Sequence, residues 1–371
     1  MTRLGEPSAN RSALFLSPEE PVMGSGGGGL RSASLLEYLR SRYDVQVARF
    51  ELPHHSKSPA ARVWRNGWRF LRGVPPLIDR FAGFDAQLEP LLRGRRYAIG
   101  VVEHFWCAPY APALREACDR LVLDLHNVES ELARTHAAAE GGLRGIALRR
   151  FAASYRRLEA EWLPKFDLVL AASDEDARRL DHPKVCVYPN ALPLLECPRV
   201  SEEDCIVFSG NLEYHPNVDA VRWFRRDIWP RMEHAAEWRL VGRNAAAVRA
   251  ITKGDPRITF TGPVEDAVAE LARAKVCVVP LRSGSGTRFK ILEAWAAARA
   301  VVSTSLGAEG LGARHGEHLL IADDPASFAA AVDALIKDAG RRRALGEAGR
   351  RLYLDRFTWP AAWKRLEAVL P

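Results

Sequence analysis

The sequence predicts an α/β protein built from two doubly wound parallel-sheet domains. Short apolar, β-branched runs alternate with helical stretches along the whole chain. The 371 residues exceed what one hydrophobic core usually organises, and the rhythm restarts after a proline-bearing stretch near the middle. In the first half the expected strands are 13–17, 45–50, 98–103, 121–125, 168–171 and 185–188, separated by helices that include 30–41, 111–118 and a long one at 143–163. The second half repeats the pattern with strands at 205–209, 238–241, 258–261, 276–280, 300–304 and 319–322. Pro189, Pro193 and Pro198, followed by polar residues, make 189–204 the expected linker. The expected domains are therefore 1–198 and 199–355, with a C-terminal helix in 356–371 that crosses back to the first domain. Ligands of such sheets bind outside the carboxyl ends of the strands, so the loops there are the places to search.

Composition narrows the function classes. Nearly half the residues are hydrophobic, charges of both signs are well mixed, and a net charge of +7 is too modest to imply a nucleic-acid partner. The cysteines (Cys107, Cys118, Cys186, Cys197, Cys205, Cys277) have no CxxC or Cys/His zinc spacing and lie mostly in apolar runs, as reduced thiols of a cytoplasmic protein would. No run approaches the roughly 20 apolar residues of a membrane span, so any membrane contact is expected to be peripheral, on the inner face. HExxH, nucleophile-elbow, P-loop and paired-carboxylate metal motifs are absent, and neither a metal nor a cofactor is expected.

The richest segment runs from Val276 to Ala296. An apolar strand ends in the glycine loop Gly284-Ser285-Gly286-Thr287, and a helix then opens with Arg288 and Lys290 in its first turn and Glu293 one turn later. Glycines admit a close anion, helix-start N–H groups attract it, and two cations add full charge, an arrangement suited to a nucleotide diphosphate. The alternative is an ordinary strand, loop and helix with a surface Lys290/Glu293 pair. Near the amino end, Gly24-Ser25-Gly26-Gly27-Gly28-Gly29 formally contains GxGxxG, with Glu51 at the end of the second strand, as a dinucleotide site would have. Residues 18–23 intervene between strand and glycines, however, which fits a flexible loop better. His104 and His126 fall at the ends of successive strands, where ligand-facing donors belong, although such histidines are also common structural residues. In 57–96 there are nine basic and three acidic residues. Within it Arg62, Arg65, Arg69 and Arg72 share one side of a helical stretch and Val63, Trp64, Trp68, Phe70 and Leu71 the other. The segment suits either an anionic membrane surface or a helix packed on its domain with a solvated arginine face, and Asn66-Gly67 weakens the helix.

Taken together these motifs resemble the family-four retaining glycosyltransferases of the two-domain GT-B fold. The likeness is strongest from Ile206 to Ala322, where Phe208-Ser209-Gly210-Asn211, Pro216-Asn217-Val218-Asp219-Ala220, Leu240-Val241-Gly242-Arg243-Asn244, Phe260-Thr261-Gly262-Pro263-Val264 and Gly286-Thr287-Arg288-Phe289-Lys290-Ile291-Leu292-Glu293-Ala294 occur in the family's order. The first half adds the glycine loop, His104, His126 and Tyr188-Pro189-Asn190. The resemblance implies Rossmann-like domains facing a cleft and a nucleotide-diphosphate sugar, UDP- or GDP-linked, as donor. It implies that Gly262, Pro263 and Val264 face the base, Glu293 binds ribose, Gly210, Ser285, Gly286 and Thr287 lie around the diphosphate, and His104 contacts the donor sugar. Gly26, Gly27, Gly28, Gly29, His126 and Asn190 fall on the acceptor or sugar side. The acceptor class it implies is a glycan or lipid-linked molecule. Two departures matter. Ser285 replaces the first of the family's two glutamates, and the cations that usually follow the first strand of the second domain are missing from Asn211-Leu212-Glu213-Tyr214-His215-Pro216. Arg288 and Lys290 are then expected to neutralise the diphosphate without metal. An NAD-dependent oxidoreductase, from the glycine loop and Glu51, and a catalytically silent sugar-nucleotide-binding protein, from Ser285, are the other readings.

Overall fold

The computed structural model describes residues 12–18, 20–21, 27–51, 58–139, 142–283 and 289–370. The chain divides into two compact units, Met1–Tyr188 with Arg365–Pro371, and Pro189–Lys364. In the first, strands β1 (Ser12–Ser17), β2 (Asp44–Arg49), β3 (Ile99–Glu103), β4 (Leu121–Asp124), β5 (Leu168–Ala171) and β6 (Val185–Val187) form a parallel sheet in the order β2-β1-β3-β4-β5-β6. In the second, β7 (Glu203–Ser209), β8 (Glu237–Val241), β9 (Ile258–Gly262), β10 (Ala274–Val279), β11 (Ala300–Ser303) and β12 (Leu320–Ile321) form a parallel sheet in the order β12-β11-β10-β7-β8-β9. Every expected strand is present, its ends shifted by one or two residues at most. The strand order reverses between β1 and β3 and again between β7 and β10, and such switch points open a crevice at the carboxyl ends.

Helices on both faces of a parallel sheet bury its central strands completely. Accordingly β3, β4 and β5 are buried at every position, whereas the edge strands β2 and β6 are only partly covered. Aromatic side chains fill the second unit's core: Trp238 of β8 is fully buried, with ring centroids 4.5 Å from Phe224 and 5.6 Å from Trp229. Within the described residues no helix is long and apolar enough to cross a membrane.

Three expectations need correction. The boundary lies at Tyr188/Pro189 rather than 198/199, because the proline stretch is pinned to the second unit. Leu192 N–H donates to the Phe357 carbonyl (2.9 Å), Trp359 N–H donates to the Leu192 carbonyl (2.8 Å), and the Trp359 indole donates to the Ala191 carbonyl (3.2 Å). The return to the first unit begins at Arg365, not 356, since the helix Trp359–Glu367 starts in the second unit. Helix Pro59–Arg72 runs unbroken through Asn66-Gly67 and ends at Gly73, whose left-handed conformation (φ 64°) caps it. Gly67 costs about 1 kcal/mol in a helix, and anchorage at the carboxyl end offsets that: Arg150 donates to the carbonyls of Phe70 (2.7 Å) and Leu71 (3.1 Å).

Tyr353 provides a direct test of the proline anchorage. Its hydroxyl donates to the Pro193 carbonyl (2.7 Å) and accepts from the Leu195 N–H (3.1 Å). Tyr353→Phe removes the partner of both half-buried groups and should lower unfolding stability by about 1 kcal/mol, read from denaturant curves. An unchanged midpoint would show that the proline segment is held by its apolar contacts alone.

Candidate active site

In the first unit the carboxyl ends of the strands at the switch point carry a buried polar network. Glu103 ends β3 and Asp124 ends β4, both with no exposed surface. Parallel pairing of Glu103 with Asp124 sets the two carboxylates side by side. Arg31, on helix Gly27–Arg40, donates from Nε to Asp124 Oδ2 (2.8 Å), from Nη2 to Oδ1 (2.5 Å) and from Nη1 to the Tyr188 carbonyl (2.6 Å). His126 Nε2 lies 2.8 Å from Glu103 Oε2 and 3.5 Å from Asp124 Oδ2, while Ser32 donates its hydroxyl to Glu103. Burial alone would lower the His126 pKa, but the hydrogen bonds to Asp124 and Glu103 raise it to about 9, so the ring is an imidazolium. Burial works to raise Asp124, yet Arg31 and His126 hold it well below the usual carboxylate range. Burial and Asp124 push Glu103 up.

His104 follows Glu103 in a left-handed conformation (φ 63°), fixed by its N–H donating to the Asp124 carbonyl (3.0 Å). Its ring stacks on Trp106 (centroids 4.2 Å, interplanar 6°) and lies 3.7 Å from the His126 ring. Burial and the neighbouring His126 charge lower its pKa, so His104 is neutral. Trp106 Nε1 donates to Glu129 (3.0 Å), whose carboxyl is pushed up to about 7 by burial and by Glu159 despite that bond. Gly28 sits beside this network: a Cβ there would come 3.4 Å from His126 Nδ1. Gly27 and Gly29 share its helix start, whereas Gly26 lies outside the described residues. Asn190, assigned by sequence to the first domain, is buried in the second unit. Glu103, His104 and His126 present ligand atoms within 4.8 Å of one another, so the expectation of no metal-ligand cluster is corrected. Glu103 Oε2 is bonded to His126 and Ser32, whereas Glu103 Oε1 and His104 Nδ1 are buried without a hydrogen-bond partner among the described residues.

The second unit gathers its site at the β7/β10 switch point. Gly210 follows β7 and Gly242 follows β8, each with φ 144°, and a Cβ on Gly242 would fall 1.8 Å from the Gly210 carbonyl. Gly242 N–H donates to the Gly262 carbonyl (3.1 Å), where φ is 75°. Pro263 and Val264 follow β9, the proline exposed. Lys290, in the first turn of helix Phe289–Ala296, donates from Nζ to Asn217 Oδ1 (2.9 Å) and lies 5.0 Å from the Phe208 ring. A Cβ on Gly210 would meet Asn217 at 2.9 Å and Lys290 Nζ at 3.3 Å, so glycine makes room for this pair. Lys290 is thus a held cation rather than one projecting alone. Glu293, hydrogen-bonded to Ser209, is pushed up by burial against the opposing charge of Lys290. Ser285, Gly286, Thr287 and Arg288 lie outside the described residues.

Sequence reasoning missed Arg31, Glu103, Asp124 and Glu129. The available signal was a carboxylate closing each of two apolar strands, Val101-Val102-Glu103 and Leu123-Asp124. It also overlooked Arg243, exposed after Gly242, whose carbonyl accepts from the Leu212 N–H (3.0 Å) and which brings a cation beside the Asn211 loop.

Residues 203–338, within the second unit, match the family described as Glycosyl transferases group 1. Over 179 residues the chain is 26% identical to an uncharacterized 44.6 kDa protein in the cps region of Klebsiella pneumoniae, a match covering 44% of this chain and less than half, 46%, of that one. Among solved structures it is similar to sucrose-phosphate synthase from Thermosynechococcus elongatus (17% identity, TM-score 0.70, 97% of this chain and 98% of that one). It is also similar to WaaG, a glycosyltransferase involved in lipopolysaccharide biosynthesis (13% identity, TM-score 0.67, 96% and 99%), and to Anabaena HepE in complex with UDP and glucose (15%, 0.64, 97% and 99%). These likenesses establish the GT-B fold, and with the family match they support glycosyl transfer.

The histidine pair makes stability depend on pH in a definite direction. His126 is raised from 6.5 to about 9, so its contribution is whole below pH 6.5 and is lost as pH rises through about 9. His104 is lowered, so its contribution is present above 6.5 and is lost as pH falls. Unfolding free energy should therefore drop on the order of 2 to 3 kcal/mol on the alkaline side, and His126→Gln should flatten that limb. A wild-type profile flat from neutrality to pH 10 would contradict the imidazolium.

Proposed function

We propose that the chain transfers a hexosyl group from a nucleotide-diphosphate sugar, UDP- or GDP-linked, to a glycan or lipid-linked acceptor, with retention at the anomeric carbon and without a metal ion. One observation carries the reading: Lys290, Glu293, Ser209, Gly210 and Asn217 converge at the switch point of the second sheet, inside the residues that match the group 1 family. HepE structures in complex with UDP and with UDP-glucose favour uridine as the base. The cps-region relative and WaaG favour a role in polysaccharide or lipopolysaccharide synthesis, and in this reading the chain works in the cytoplasm, at the inner membrane face.

In this reading the bond from the anomeric carbon to the diphosphate breaks while an acceptor oxygen bonds the same carbon from the same face. The acceptor proton passes to the departing phosphate oxygen. Negative charge develops on the diphosphate, and stabilising it is the main electrostatic task. Lys290, held by Asn217, supplies a positioned cation, and Arg288 supplies a second. The backbone N–H groups of Gly286 and Thr287 bind phosphate oxygens, Glu293 takes ribose hydroxyls, and Gly262 to Val264 face the base. His104, being neutral, exchanges a hydrogen bond with a sugar hydroxyl, a contact that gains weight because Ser285 stands where the family has a glutamate. Gly28 and His126 lie on the acceptor side.

Replacing Lys290 or Arg288 with alanine should cost about 1.5 to 3 kcal/mol of donor binding or transition-state stabilisation, measured by calorimetry and turnover. Unchanged values in both variants would remove the two cations from the mechanism. Thermal-shift screening of UDP, GDP, their sugars and NAD should show stabilisation by a nucleotide diphosphate and none by NAD. The reverse result would return the chain to the oxidoreductase reading, and donor binding without product would mark a silent binder. Turnover should survive EDTA, because the cations do the work that a divalent ion does elsewhere. Rate loss restored by magnesium or manganese would point to the Glu103/His104/His126 group instead.

A further inference from the structure

The helix Pro59–Arg72 is oriented in a way its sequence did not suggest. Arg69 points inward, buried and paired through Nε to Asp79 (2.7 Å), and Arg65 is half-buried, so the four arginines do not form one solvated face. The Arg62 side chain lies outside the described residues. What faces solvent is the apolar stripe: Val63 is 71% exposed, Trp64 76%, Trp68 52% and Leu71 70%. Trp64, Trp68 and Leu71 recur at helical spacing and form one ridge. Single exposed apolar residues are unremarkable, but two tryptophans and a leucine along one turn-to-turn line are not.

A second helix, Gly142–Trp162, adjoins this one. Arg150 bonds the carboxyl end of Pro59–Arg72, and a cavity of about 190 Å³ lies between the two, lined by Phe70, Ala147, Leu148 and Phe151 with Arg69 and Arg144. Ile146, also on the second helix, is 48% exposed. Residues 58–72 hold four arginines and 142–158 hold five, and neither stretch holds an acid. Arg72, Arg144, Arg149 and Arg150 all reach the surface. The paired helices thus present an apolar, tryptophan-bearing ridge bordered by arginines, and the acids of the second helix, Glu159 and Glu161, stand at its carboxyl end.

We infer that this two-helix surface seats the protein on an anionic lipid bilayer, with Trp64, Trp68 and Leu71 in the headgroup layer and the arginines on lipid phosphates. A ridge of this kind buries its apolar side chains at the headgroup boundary, and the bordering cations fit a negatively charged leaflet. The inference goes beyond the proposed glycosyl transfer and does not depend on which donor the second unit binds.

The test is sedimentation of the full-length chain with vesicles of phosphatidylglycerol and phosphatidylcholine, and with phosphatidylcholine alone, at low and moderate salt. Binding should require the anionic lipid and weaken with salt. The double variant Trp64→Ser, Trp68→Ser should bind about tenfold less or weaker still. Arg72→Gln and Arg149→Gln should each cost about fivefold. Because these side chains are exposed, the variants should melt with the wild type, and a calorimetric scan checks that. Equal binding to both vesicle types, no binding at low salt, or full binding by the tryptophan variant would overturn the inference. So would lipid-free dimers in analytical ultracentrifugation that the tryptophan variant abolishes, since the ridge would then belong to a second copy of the chain.

Discussion

The first unit is organised around an ion pair that no water reaches. Arg31 and Asp124 are 1% and 0% exposed, and taking two such charges out of water costs several kcal/mol per ion. The pair persists because its geometry leaves little unpaid: two guanidinium nitrogens meet two carboxylate oxygens, and the third donates to the Tyr188 carbonyl. The same contact fixes the start of a helix against the ends of β4 and β6. Once Asp124 is held as an anion, His126 beside it keeps its proton, Glu103 is bridged to His126, and His104, its ring 3.7 Å from that of His126, is driven neutral. Two neighbouring histidines therefore differ in protonation, one neutral and one cationic, a division of labour that a polar site can use.

The second unit is ordered differently at its switch point. Glycine does the positioning there. A side chain on Gly242 would collide with the Gly210 carbonyl, and one on Gly210 would displace the Lys290/Asn217 contact. Bare backbone at the ends of β7 and β8 leaves open space, and Lys290, held by Asn217 beside it, gives that space a positive sign. The two units thus present different chemistry at equivalent places in the same architecture: titratable side chains in one, backbone and a fixed cation in the other.

Much of this was legible in the sequence, and the gaps have identifiable causes. His104, His126, Lys290 and Glu293 could be found because each stands where an apolar run ends or a helix begins, a local signal. Arg31 gave none: it sits in a glycine- and serine-rich helix, and its partner is 93 residues away. Glu103 and Asp124 were in view as strand-closing carboxylates, but their role depends on strand pairing that places them side by side. Helix Pro59–Arg72 was misread for a related reason. Amphipathicity shows that a helix has two faces, and only the neighbouring elements decide which one turns inward; here Asp79 draws Arg69 in. The proline stretch looked like a tether because proline lacks an N–H, yet its carbonyls remained available to Tyr353 and Trp359.

By itself the sequence determined the number of strands, their order along the chain, the two-domain α/β class and the loops where ligands belong. Those properties follow from hydrophobic periodicity and turn chemistry, which act over a few residues. Tertiary structure alone decided the strand order within each sheet, and with it the two switch points. It also decided the charge on each histidine, the pairing of Lys290 with Asn217 and the outward turn of the tryptophans. These depend on burial and on charges brought together from distant segments, and no local pattern encodes the dielectric or the neighbours that a side chain meets once the chain has folded.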